Sequence, residues 1–140
     1  METSKKVKLI LLVIILIGLI LALLGVFLYD ILHANRIRAE LTQVVEEFHE
    51  SGYVYIDGNR VIGIIEIERL GIKYPIIQYV NISSLDITIC KYAGPDINEL
   101  GNVSLLGHNM RSGIFFTRLT EIEYGDVVQL TNGARLYGRI

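Results

Sequence analysis

The sequence is poor in the residues that staple small domains or hold metals. Among 140 residues there is one cysteine, Cys90, and there are two prolines, three histidines and no tryptophan. A single Cys excludes an internal disulfide framework and a thiolate zinc cluster, since both need Cys in multiples. Charge is also scarce, at 20% of residues against 51% hydrophobic, and nearly balanced, with 13 Lys+Arg against 15 Asp+Glu. No basic block lies outside the first eight residues, so no nucleic-acid partner is expected. His33 and His49 stand sixteen residues apart, with no ligand spacing between them. They read as solvated helix residues, and neither a metal nor a cofactor is expected.

What the chain does have is one long apolar run. From Leu9 to Tyr29, 21 residues pass without a charge. At about 1.5 Å per residue such a helix spans roughly 30 Å, the thickness of a bilayer's hydrocarbon core. Lys5, Lys6 and Lys8 precede it with only Glu2 to offset them. The positive-inside rule therefore places residues 1–8 in the cytoplasm and the remainder outside the cell membrane. A cleaved signal peptide would have a shorter core and a small-residue cleavage site. Here the run is longer, and Phe27 to Leu32 is bulky, which favours an uncleaved signal anchor. Gly18 and Ala22 have the spacing of helix-pairing faces, but small residues are common filler in lipid spans.

Residues 30–52 read as a linker helix, with Ile37, Leu41, Val44, Val45 and Phe48 at helical spacing and Gly52 as its stop. From Tyr53 the texture becomes short β-branched and aromatic runs. Tyr53 to Ile56, Asp57-Gly58-Asn59 and Val61 to Ile67 predict a hairpin, its second strand buried on both faces. Further strands are expected at Ile72 to Tyr79, Leu85 to Tyr92, Asn102 to Leu106, Val127 to Leu130 and, after Thr131-Asn132-Gly133, up to Ile140. Turn signals about every ten residues imply an antiparallel barrel or sandwich, and no internal repeat is visible. The final strand runs into the C-terminus uncovered, so the fold reads as stopping midway.

The densest cluster of special residues is Gly101 to Gly113. Its strand delivers His108 directly after Gly107, a suitable mount for a general acid/base, because imidazole exchanges protons near neutrality. Such a His also serves as an ordinary turn residue. Cys90 lies in a strand-like alternation, where a Cys acts as a small hydrophobe, and Lys91 would point to the opposite face. Ser104 and Ser112 lack a nucleophile-elbow setting. The residues thus offer a base without a convincing nucleophile.

The segments VIGIIEIERLGIKYPI and YAGPDINELGNVSLLGHNMRSGIFFTRLTEIEYGDVVQL, behind a signal anchor and helical linker, resemble a sortase over roughly residues 60 to 140. The Gly-Asn strand, Gly-His-Asn, Phe115-Phe116, Leu119 and Gly125-Asp126 carry the likeness in order and spacing. Gly-His-Asn and the following Phe-Phe look more like the class B or clostridial type than the pilin-building type. Sortases are membrane-anchored cysteine transpeptidases of Gram-positive bacteria that join surface proteins to the cell wall or polymerise pilins.

The resemblance implies an eight-stranded β-barrel and a His, Cys and Arg at the site, with His108 as the His. The family Cys belongs on a later strand, in a Thr-Leu-x-Thr-Cys-like motif, and the Arg follows it. Cys90 precedes His108 and cannot inherit that role, and Arg135 and Arg139 come too early. The expected chain is mainly β: a cytoplasmic N-terminus (1–8), a transmembrane helix (9–29), a linker helix (30–52) and an incomplete sortase-like β-barrel (53–140), truncated at its C-terminus. By resemblance its partners are the lipid bilayer, surface proteins bearing a Leu-Pro-x-Thr-Gly-like sorting signal and a cell-wall peptide amine. Without Cys and Arg the chain is expected to be inactive alone. The alternative is a membrane-anchored, non-catalytic β module that binds a surface protein or peptide. A Cys90–His108 hydrolase fails on the strand argument unless Cys90 proves exposed and reactive.

Overall fold

The computed structural model describes residues 2–110, 112–133 and 135–136. The chain divides into two compact units, with the boundary between Asn35 and Arg36. In the first, helix α1 (Glu2–Ser51) exposes every side chain from Lys5 to His33. It is the one helix among the described residues long and apolar enough to cross a membrane. By length and composition it is compatible with a membrane anchor. His33 stacks on Tyr29, with ring centroids 5.9 Å apart.

The second unit holds the end of α1 and a sheet. Leu41, Val45 and Phe48 are buried at the predicted helical spacing. Val45 and Phe48 share a core with Val54, Val61 and Ile64. Gly52 ends the helix, its φ of 69° placing it in the left-handed region and its N–H bonding the Phe48 carbonyl at 2.8 Å.

The predicted hairpin forms from β1 (Tyr55–Ile56) and β2 (Asn59–Ile67). Asp57 and Gly58 both take positive φ, 47° and 77°, the requirement of a type I′ turn. Strand β2 lies between two neighbours and buries Ile64 and Ile65 on opposite faces, as its lack of alternation predicts. After a 3-10 turn at Glu68–Leu70, β3 (Ile72–Ile77) pairs antiparallel with β2.

The strand expected from Leu85 to Tyr92 does not form as read. Its first part is a short helix, α2 (Ile82–Ile87), and only then does β4 (Ile89–Ala93) begin. The cause is a reciprocal cap. Asn81 Oδ1 accepts the Ser84 N–H at 2.8 Å, and Ser84 Oγ accepts the Asn81 N–H at 2.8 Å. Those bonds outweigh the alternation of Leu85, Ile87 and Ile89. The expectation of a purely antiparallel sheet is corrected as well, because the α2 crossover makes β3 and β4 parallel.

Strand β5 (Ser104–Leu106) pairs with β4, and β6 (Gln129–Asn132) with β2. The strand expected at Val127 to Leu130 thus starts two residues later. β7 (Arg135–Leu136) pairs with β6, and the rest of the strand expected up to Ile140 lies outside the described residues. The sheet order is β5-β4-β3-β2-β6-β7, with β1 beside β2, and among the described residues β5 and β7 do not pair to close it. It is an open, sheet-rich fold, consistent with an incomplete barrel.

Candidate functional site

His108 follows β5 on a tight support. A Cβ at Gly107 would come within 2.9 Å of the Phe116 ring and 3.1 Å of Ile89, tighter than packed atoms tolerate. Glycine therefore lets the chain pass against Phe116. The Phe116 N–H then donates to the His108 carbonyl at 3.1 Å, and Asn109 bridges Phe115 in the antiparallel sense. The Thr117 hydroxyl sits 2.9 Å from the Met110 nitrogen and 2.8 Å from its oxygen, closing the loop. Phe115 adopts φ 55°, uncommon for a bulky residue, and is held there by full burial and an edge contact with Tyr74, centroids 5.5 Å apart.

The His108 side chain is 44% exposed, and its Nε2 lies 3.3 Å from Asp86 Oδ1. Asp86 is the residue that sequence reasoning missed, because it was assigned to a strand. The signal available was Asn81-x-x-Ser84, a helix-start pattern that moves Asp86 onto α2.

Cys90 is fully buried in β4, its Sγ 3.8 Å from the Thr88 carbonyl. Burial pushes its thiol up from the ordinary value, against a weaker opposing hydrogen bond from Ser84. Both effects of burial disfavour a nucleophile, which must be a solvent-reachable thiolate. Lys91 is engaged with Asp96 at 2.6 Å. Ser104 is exposed on β5 and Ser112 is half-buried in the turn after His108. Arg135 opens β7, and Arg139 lies outside the described residues. The structure thus brings His108 together with Asp86 and Phe116, while Cys90 remains a core residue.

Beside this loop the sheet carries an apolar groove of about 270 Å³, lined among others by Ile65, Ile67, Leu105, Phe116, Leu119 and Leu130. Phe116 belongs both to the groove wall and to the backbone bond that fixes His108. A larger cavity, about 370 Å³, is lined by Phe48, Arg60, Gln78, Asp96 and Asn132 among others and does not include His108.

The Sortase domain family model matches residues 65–138, more than half of the chain. The chain belongs to the sortase family. Among curated proteins none matches it. Among solved structures it is similar to a Clostridium perfringens Sortase D5 transpeptidase, at 20% identity and a TM-score of 0.48 over 71% of this chain. The match takes in 58% of that protein's length.

Proposed function

We propose that this chain carries the acid/base histidine of a sortase-type acyl transfer, His108, together with part of the surface that receives the sorting signal. The observation that carries this reading is Phe116, which lines the apolar groove and whose N–H bonds the His108 carbonyl, so that the groove and the His108 loop share one residue. In such a reaction a thiolate attacks a Thr carbonyl, giving a thioester. His108 as imidazolium donates a proton to the leaving Gly amine, and a cell-wall peptide amine then resolves the acyl-enzyme. Neither the thiolate nor the assisting Arg is assigned to a residue of this sequence. Cys90 is sealed in the core, so these 140 residues bind a sorting-signal peptide without transferring it.

The apolar helix of the first unit anchors the chain in the membrane, with Lys5, Lys6 and Lys8 on the cytoplasmic side and the sheet outside. The four segments of the reading are residues 1–8, 9–29, 30–52 and 53–140. A second reading, a membrane-tethered binding module with no catalytic role, draws on the burial of the only thiol.

The test uses the full chain in detergent micelles with a fluorescent Leu-Pro-x-Thr-Gly-type peptide and an amine acceptor. Binding is expected, weakened at least about tenfold by Leu105→Asp, which puts a charge into the apolar groove. No cleavage is expected. Cleavage that disappears in His108→Ala but survives Cys90→Ala overturns the reading by revealing another nucleophile. Peptide binding that ignores Leu105→Asp removes the groove from it.

A further inference from the structure

We propose that Asp86 is the positioning residue that fixes which nitrogen of His108 does the chemistry, an inference that rests on the acid/base reading of His108. A neutral imidazole carries one N–H and one lone pair, and an ionised carboxylate can only accept. With Asp86 Oδ1 at 3.3 Å from Nε2, the favoured tautomer has its hydrogen on Nε2. Nδ1 is then left with the lone pair. In the imidazolium the Nδ1–H is the proton that moves: it passes to the nitrogen of the leaving amine, its bonding pair stays on Nδ1, and the Nε2–H remains on Asp86. At 3.3 Å, with the His108 and Asp86 side chains 44% and 67% exposed, the two make an ion-pair contact that still has to tighten into a hydrogen bond, as pairs in unliganded catalytic sites often do.

Two features make this more than a chance surface contact. Asp86 stands between two anchors that are both fully buried, Ser84 and Thr88. Ser84 completes the reciprocal cap at Asn81, and the Thr88 hydroxyl donates to the Pro75 carbonyl at 2.9 Å. His108 has its own mount in the bond from Phe116 N–H to its carbonyl and in the close packing at Gly107. The two side chains therefore meet from independently fixed pieces of backbone, 22 residues apart in sequence. Both backbones are thus fixed before the side chains meet, which leaves only side-chain rotamer freedom to be lost on pairing.

The readout is the tautomer itself, measured by long-range ¹H–¹⁵N correlation on the neutral imidazole of the whole ¹⁵N-labelled chain in detergent micelles. The ratio of Nε2–H to Nδ1–H at His108 is expected to exceed that of the same chain in denaturant by about threefold, the scale of one modest hydrogen bond. Asp86→Ala should return it to the denatured ratio. Asp86→Asn, whose amide oxygen still accepts, should keep most of the excess. A wild-type ratio equal to the denatured one overturns the proposal, as does an excess that survives Asp86→Ala. The wild-type measurement decides the question even if the alanine variant folds poorly. A chain that shows the tautomer bias yet does not bind the sorting-signal peptide overturns the functional reading and leaves the pairing intact. Binding without the bias does the reverse.

Discussion

Arg69 holds Asp126 in a two-point grip, Nε to Oδ1 at 2.5 Å and Nη2 to Oδ2 at 2.6 Å, across 57 residues of chain. The planar guanidinium matches the carboxylate with two parallel bonds, which fixes direction as well as distance. Arg69 Nη2 also donates to the Glu121 carbonyl, and Asp126 Oδ2 accepts the Glu123 N–H at 2.8 Å. The 3-10 turn after β2 is thereby tied to the loop that brings Leu119 and Val128 to the groove. The Asp126 side chain is only 9% exposed, so this link is shielded in a way that most surface pairs are not.

That grip predicts acid sensitivity. The Arg69 guanidinium first, and the Glu123 N–H second, hold the Asp126 carboxyl down from 3.8 to about 2. A carboxyl whose folded value lies below its unfolded one binds fewer protons when folded. Its stabilisation is therefore full above the ordinary carboxylate value and is lost as pH falls through the folded value. Urea midpoints should drop between about pH 4 and pH 2. Glu121 and Asp96 are also held low, by Arg118 and Lys91, and add to the same drop. The share due to Asp126 is the difference from Asp126→Asn, which should be less stable at neutral pH and show a shallower acid limb. Parallel curves for the two proteins would remove Arg69–Asp126 from the account.

Cys90 predicts the opposite of a catalytic thiol. It is fully buried with its thiol pushed up, so thiolate and access are both suppressed. An aromatic disulfide reagent should label the folded chain at least about a hundredfold more slowly than the urea-unfolded chain, since labelling waits for local or global opening. Equal rates would mean that β4 does not seal the thiol. Cys90→Ala should leave peptide binding unchanged.

How much of this was legible follows from where the information sits in the sequence. Asp57-Gly58 had to be a hairpin turn because few other residue pairs take two successive positive φ values. Leu41, Val45 and Phe48 marked the buried helix face by spacing alone. Gly107 before His108 stood out in the sequence, but its reason, the Phe116 ring packed against it, shows only in the structure. By contrast, α2 was hidden because Leu85, Ile87 and Ile89 alternate as a strand would, and two side-chain bonds at its start reversed the outcome. The parallel pairing of β3 with β4 was invisible, since alternation says which face is buried but not which way a neighbour runs. Asn81-x-x-Ser84 could have put Asp86 on α2 but not beside His108, because a contact between residues 22 apart leaves no local periodicity to read.

Gly63 offers a direct check on how tightly the sheet is built at its centre. It sits in β2 at the register shift after Val61, between β3 and β6, and is buried. A Cβ there would fall 2.5 Å from the Thr131 carbonyl oxygen and 2.5 Å from Ile97 Cδ1. The end of the Ile97 side chain can turn away, but Thr131 is backbone and is itself paired with Ile64 in the β2–β6 ladder. Relief therefore requires β6 to move off β2, and β6 carries Leu130 in the wall of the groove. Gly63→Ala should cost about 1–3 kcal/mol net, because overpacking a filled site outweighs the roughly 0.4–1 kcal/mol that alanine gains by restricting the unfolded chain. In urea melts this appears as a lower midpoint with an unchanged slope, and amide exchange should speed up first at Thr131 and its neighbours in β6. A midpoint equal to or above that of wild type would show that β2 and β6 are not in close backbone contact at Gly63.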